Sequence, residues 1–140
     1  MLGLSIGFGT AGFVGGAVFI KYTRAHIFST YTPLSTQAIL YLVSVPVCCG
    51  LVQGLAWSLG PQKRKGILKA TVIATVSESL LNSVALVWAP NICFGGWKSG
   101  ITKCCAWILW TVASAFVYAL YLDHVYNKER EDNAASKKSK

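Results

Sequence analysis

The chain has 140 residues, 54% hydrophobic and 13% charged, with a formal charge of +8 from 13 Lys and Arg against 5 Asp and Glu. Soluble domains carry about 25% charged residues, and one of this size buries only about two-thirds of the surface that its unfolded chain exposes. A water-soluble globule is therefore excluded, and the chain is expected to form one small integral membrane domain.

An α-helix crosses a hydrocarbon core about 30 Å thick with about 20 mostly apolar residues. The first such run covers about residues 2–20. No basic residue precedes Leu2 and the run has full spanning length, so a retained helix is expected here and not a cleaved signal peptide. It holds six glycines, each of which would weaken a helix in water by about 1 kcal/mol. In lipid no hydrophobic force joins helices, and small residues that let backbones approach drive their association. Gly3 and Gly7 form one small-xxx-small pair, and Gly12 and Gly16 form another. Helical spacing sorts the small residues into two rows: Gly3, Gly7, Ala11 and Gly15, and then Ser5, Gly9, Gly12 and Gly16. Either one row packs in the bundle while the other meets a neighbouring protein, or both pack internally.

After the polar connection Lys21-Tyr22-Thr23-Arg24-Ala25-His26, a second run covers about residues 34–59. Pro46 is expected to kink it and free a backbone carbonyl. Cys48 and Cys49 read as small buried hydrophobes, and Gln53 is a polar candidate for the interior. The basic connection 60–66, with Lys63, Arg64 and Lys65, leads to a third run over about residues 67–89, which Pro90 ends.

The third run carries Glu78 near its middle, the only acid within any of the four runs. An ionisable group at the bilayer centre costs at least about 2.5 kcal/mol and marks a functional site by default. Thr71, Thr75, Glu78 and Asn82 recur at spacings of four, three and four, one face of a helix. Ser79 and Ser83 widen that stripe, which is expected to turn inward. Partners at similar depth are Gln53, Thr111 and Ser114. No Lys, Arg or His lies at that depth, so a neutral, hydrogen-bonding carboxylic acid is the expected resting state. Glu78 either handles protons, a cation or a polar substrate in a small transporter, or it hydrogen-bonds a partner helix and sets its register.

The connection 90–100 contains Cys93, and the fourth run, about residues 101–122, opens with Cys104 and Cys105. A disulfide from Cys93 to Cys104 or Cys105 is expected only if that side is oxidising. Adjacent cysteines cannot both face one zinc without strain, and no histidine has ligand spacing, so no metal site is expected. Trp107 and Trp110 lie deep in this run. They fit ordinary helix packing, or contact with lipid or another membrane-soluble ligand such as a pigment, sterol or quinone. The remaining aromatics, such as Trp57, Trp88, Tyr22 and Tyr31, fall near span ends, where amphipathic rings favour the interface. From residue 123 to 140 the chain is charged and reads as a disordered tail.

Four spans place the N-terminus, the second connection and the tail on one side, with Lys63, Arg64, Lys65, Lys69, Lys128, Arg130, Lys137, Lys138 and Lys140. Lys21, Arg24, Lys98 and Lys103 fall on the other. The positive-inside rule then puts both termini on the cytoplasmic, matrix or stromal face of an all-α four-helix bundle. Lys137 and Lys138 stand where a dilysine endoplasmic-reticulum retrieval signal has its lysines; the alternatives are an organellar inner membrane, a thylakoid or a bacterial plasma membrane. Basic loops flanking spans contact anionic lipid, and with no stacking aromatics beside the basic tail nucleic acid is not an expected partner.

The segments Leu40-Tyr41-Leu42-Val43-Ser44-Val45-Pro46, Leu80-Leu81-Asn82-Ser83, Trp88-Ala89-Pro90 and Ala106-Trp107-Ile108-Leu109-Trp110 resemble a bacterial domain-of-unknown-function family of small four-helix membrane proteins. The resemblance covers most of the chain, from the first connection to the fourth span, and implies the same fold. That family often carries an acid where Asn82 stands, and it has no established activity to carry over. No nucleophile elbow, phosphate loop or histidine cluster is present, and His26 and His124 belong to opposite membrane faces, so catalysis is not expected. The leading expectation is a non-catalytic accessory or assembly subunit among other transmembrane subunits, without a cofactor. The alternative is a small transporter or channel-like homo-oligomer that uses Glu78.

Overall fold

The computed structural model describes residues 1–29, 31–60, 66–94 and 100–138, with the backbone alone for 133–138. Every regular element among the described residues is helical: α1 (Leu2–Ile27), α2 (Leu34–Leu59), α3 (Ile67–Trp88), the short α4 (Pro90–Cys93) and α5 (Ile101–Lys138). Four of them, α1, α2, α3 and the stretch Ile101–Asp132 of α5, are long and apolar enough to cross a membrane.

Local chemistry sets most of the boundaries. α1 runs through Lys21 to Ile27, further than the apolar run alone implies. Lys21, Arg24 and His26 are compatible with a helix, and long charged side chains near a helix end carry their heads to the interface while their stems stay apolar. α2 begins after Pro33 and stops at Gly60, whose φ of 73° lies in the left-handed region that favours glycine. Pro46 stays inside α2, and its missing N–H leaves the Leu42 carbonyl without a helical donor. Pro90 disfavours helical geometry at the residue before it, so α3 ends at Trp88 and Pro90 opens α4. Gly100 precedes α5 with φ 114°, and a side chain there would collide with the Phe28 carbonyl oxygen.

α5 departs from expectation. Its helix continues past Leu122 to Lys138, through the segment read as a disordered tail, while residues 139–140 lie outside the described residues. No Gly or Pro occurs between Ile101 and Lys138 to stop it, and Lys, Glu, Arg and Ala are good helix formers. Tyr126 also packs on the core and Asn127 Nδ2 donates to Asp123 Oδ2 at 3.2 Å, tying down the first turns of the extension. The 38 residues make a helix about 57 Å long, roughly twice the hydrocarbon thickness.

The helices do not pack in chain order. α1 lies chiefly against α3, α3 also against α5, and α5 against α2, while α2 touches α3 and α1 more lightly. Two apolar clusters hold the bundle. One joins Val52, Leu55, Ala56 and Leu59 of α2 to Ile67, Ala70 and Ala74 of α3 and to Ala119 and Leu122 of α5. The other, toward the opposite end, gathers Ala17 and Ile20 of α1 with Phe28, Ala85, Phe94 and Cys104. Alanines at the contacts bring backbones close. Outward positions such as Leu42, Leu51, Leu80, Leu109 and Val117 are exposed, an apolar exterior of the kind a membrane-spanning bundle presents.

α1 lies directly on the backbone of α3. A Cβ on Gly9 would overlap the Ala74 carbonyl oxygen, whereas one on Gly7 meets nothing within 4 Å. Gly9→Ala is therefore expected to destabilise the bundle by about 1–3 kcal/mol, read as earlier unfolding in detergent. Gly7→Ala should leave unfolding unchanged or slightly delayed.

Candidate functional site

The polar face of α3 divides in two. Thr71, Thr75 and Asn82 are buried, at 2%, 6% and 7% exposure, and Glu78 is half-buried beside them. Ser79 and Ser83, expected to share that inward face, are exposed. At 100° per residue they lie further round the helix than Glu78 and Asn82, on the side where α3 meets α5. There Thr75, Ser79 and Ser83 line an outward groove of about 220 Å³ with Val112 and Phe116 of α5.

Most hydroxyls on this helix are spent on their own backbone. Thr75 Oγ1 lies 2.9 Å from the Thr71 carbonyl and 3.1 Å from that of Val72. Ser77 donates to Ile73 and Ser83 to Ser79, each at 2.8 Å. Such back-bonding is how Ser and Thr satisfy themselves inside a helix. Thr71 Oγ1 differs: it is buried and has no hydrogen-bond partner among the described residues.

Glu78 sits where α3 crosses α1, between the two apolar clusters. A Cβ built on Gly12 would stand 3.2 Å from Glu78 Oε2, so the carboxyl group lies over the bare backbone that this glycine leaves. The Cys48 thiol of α2 lies within electrostatic reach of Glu78. The side-chain partners expected for it are engaged elsewhere or stand alone. Gln53 Oε1 accepts a hydrogen bond from Tyr118 of α5 at 3.2 Å, and Thr111 donates to the Ile108 carbonyl at 2.7 Å. Ser114 is half-buried. The spacing that singled out Glu78 pointed to other polar groups; the neighbour observed at its carboxyl group is a glycine. Gly12 belonged to a packing row in the sequence, and nothing there linked it to the acid.

The two glycine rows have different surroundings. Ser5 is fully buried, with its hydroxyl on the Met1 carbonyl at 3.1 Å, and Gly9 and Gly12 contact α3. Gly16, placed in the same row, has open space where its Cβ would be. Gly3, Gly7 and Gly15 have open space as well, and Ala11 between them is exposed.

The deep tryptophans both contact neighbouring helices, although Trp110 is 41% exposed. Trp107 stacks against Phe19 and Phe28, with ring centroids at 5.3 and 5.8 Å, and its Nε1 is buried without a partner among the described residues. Trp110 Nε1 donates to the Tyr41 carbonyl at 3.0 Å, with its ring on that of Tyr41, which locks α5 to α2. Periodicity gave no sign of these two contacts or of the Tyr118–Gln53 bond, because each joins helices distant in sequence. All five cysteines are free; Cys93 packs against the cluster that holds Cys104, while Cys105 is half-buried on the neighbouring position.

No protein-family model, curated protein or solved structure matches the chain. A carboxyl group over a glycine notch can hold two helices in register, and it can exchange a proton or bind a cation if the interior opens to water.

A double-mutant cycle tests the notch. Gly12→Val places a side chain against the carboxyl group and is expected to destabilise the protein. Added to Glu78→Ala, the same change should cost less, with a coupling of about 1 kcal/mol within the range for residues in contact. Unfolding curves of the four proteins in detergent give the value.

Proposed function

We propose that the chain is a non-catalytic accessory or assembly subunit of a larger membrane complex. The observation that carries the reading is the division of α1. Gly9 and Gly12 are used inside the bundle, and Gly3, Gly7, Ala11 and Gly15 form an outward row of small residues with room for another backbone. A row of this kind gains nothing from lipid, and it lets a second transmembrane helix approach closely. In this reading Glu78 is an intramembrane structural group. Its carboxyl group over Gly12 fixes the register of α3 on α1, between two clusters that are otherwise apolar. In this reading both termini lie on the cytoplasmic, matrix or stromal face, the side that the excess of Lys and Arg favours. The resemblance to bacterial four-helix membrane proteins fits a compact module of this kind. The dilysine pair Lys137 and Lys138 would suit the endoplasmic reticulum.

A small transporter is the second reading, and one feature favours it. Thr71 Oγ1 and the Glu78 carboxyl group both lie on the inward face of α3, and neither hydrogen-bonds a side chain among the described residues. Polar groups left over in a bundle interior are what a proton or cation path requires. The outward groove beside Ser79 could meanwhile take a lipid or another membrane-soluble ligand.

Native mass measurement after mild solubilisation separates the two. The accessory reading predicts a heteromeric complex that dissociates when Gly3, Gly7 and Gly15 are replaced by Leu, with the unfolding of the isolated chain unchanged. A stable homo-oligomer whose proton-dependent flux disappears in Glu78→Gln would overturn it in favour of transport.

A further inference from the structure

Polar groups lie inside the bundle at each of the two apolar clusters and also between them. At the first cluster Thr71 Oγ1 is buried with no hydrogen-bond partner among the described residues. Its neighbours Ala70 and Ala74 belong to the cluster on which Tyr118 packs, and there the Tyr118 hydroxyl donates to Gln53 Oε1. At the second cluster the Trp107 indole N–H is buried and equally without a partner among the described residues. Trp107 packs on the residues around Ala85, one turn beyond the buried Asn82. Glu78 lies between the clusters, half-buried over the bare backbone at Gly12. Buried polar groups are nearly always hydrogen-bonded, and ordered water serves where the protein supplies no partner. Two such orphans, on α3 and on α5, thus flank the acid at mid-depth.

The spacing along α3 selects what this interior can carry. A rise of 1.5 Å per residue puts Thr71, Thr75, Glu78 and Asn82 about 6, 4.5 and 6 Å apart along the helix. One water joined to two groups by hydrogen bonds of about 2.8 Å spans about 5.6 Å. Each step is therefore of a length that bridging water covers. A hard metal cation has a different requirement, about six oxygens at about 2.0–2.6 Å. Thr71 and Asn82 stand about 16 Å apart along α3, too far to join Glu78 in one shell. Around Glu78, α1 presents Gly12 and α2 the Cys48 thiol, within electrostatic reach, while the Tyr118 hydroxyl of α5 stands at the first cluster. A thiol is a poor ligand for such cations, and no Lys, Arg or His lies at that depth.

We propose that water enters the bundle along this face of α3 and carries protons, not metal cations, to and from Glu78. In each exchange a water protonates one carboxyl oxygen while the other oxygen passes its proton to the next water, so the group ends neutral as it began. The inference deepens the transport reading and rests on it for the use of the path; hydration of the path is read separately from flux.

The full chain, in a detergent without ester groups, is transferred from H2O to D2O and followed by infrared spectroscopy. The carbonyl stretch of the neutral Glu78 carboxyl group is assigned by its loss in Glu78→Gln. Its deuterium shift is expected to be complete by the first spectrum. Thr71→Val with Asn82→Leu removes the flanking polar groups and should slow the shift by about fivefold for each hydrogen bond lost. Exchanging K+ for Na+ or Ca2+ should leave the band in place. A band unshifted after hours, a carboxylate band in its place, a shift no slower in the double variant, or a band displaced by one of the cations would each overturn the proposal. Where the double variant folds poorly, Thr71→Val alone is read, since it keeps the side-chain shape and removes only an unpartnered hydroxyl. Proton flux in proteoliposomes tests transport itself: rapid exchange without flux would remove the transport reading and leave the hydrated interior standing.

Discussion

The missing side chains of Gly9 and Gly12 set the distance between α1 and α3, and much of the bundle follows from it. Gly9 lets the backbone of α1 lie on the Ala74 carbonyl. One turn further along, Gly12 leaves the space in which the Glu78 carboxyl group sits. In water, glycine inside a helix is a weakness. Where lipid already satisfies apolar surface, close backbone contact is the principal source of helix affinity, and the same residue becomes an adhesive. The other three long helices join through alanines and a few interhelical hydrogen bonds. Trp110 to Tyr41 and Tyr118 to Gln53 both connect α5 to α2.

The contact also explains how an acid is tolerated at the middle of an apolar helix. Glu78 belongs to neither apolar cluster and lies between them, over the bare backbone at Gly12. A half-buried carboxyl group without a cation beside it is costly to ionise in lipid. It is tolerated more readily as a neutral group whose position is dictated by the crossing of two helices. That position makes Glu78 a register device in the accessory reading, and the same position would face an aqueous path in a transporter.

The long elements were legible because hydropathy and helix breakers are local signals. The second run ends where α2 ends at Leu59, and Pro90 stops the third within a residue of Trp88. Less was visible at α1 and α5, where charged residues extend helices that the apolar runs alone would have closed near residues 20 and 122. Within the site, periodicity grouped Thr71, Thr75, Glu78 and Asn82 on one face, and all four are buried or half-buried. It also grouped Ser79 with them, although Ser79 lies on the exposed side beside α5. A helix face says nothing about which neighbour covers it, and the packing order α1, α3, α5, α2 cannot be read from a linear sequence. For the same reason Gly12 could not be identified as a neighbour of Glu78.

α1 uses Gly9 and Gly12 within its own bundle, and in the proposed role its outward row of Gly3, Gly7, Ala11 and Gly15 meets a second protein. A photoreactive side chain at Gly15, on the outward row, tests it most directly when activated in native membranes. The account predicts a discrete adduct with another transmembrane polypeptide, absent when the same group is placed at the lipid-facing Leu51 of α2. Adducts with lipid alone, or a cross-link from Gly15 to α3 of the same chain, would contradict it.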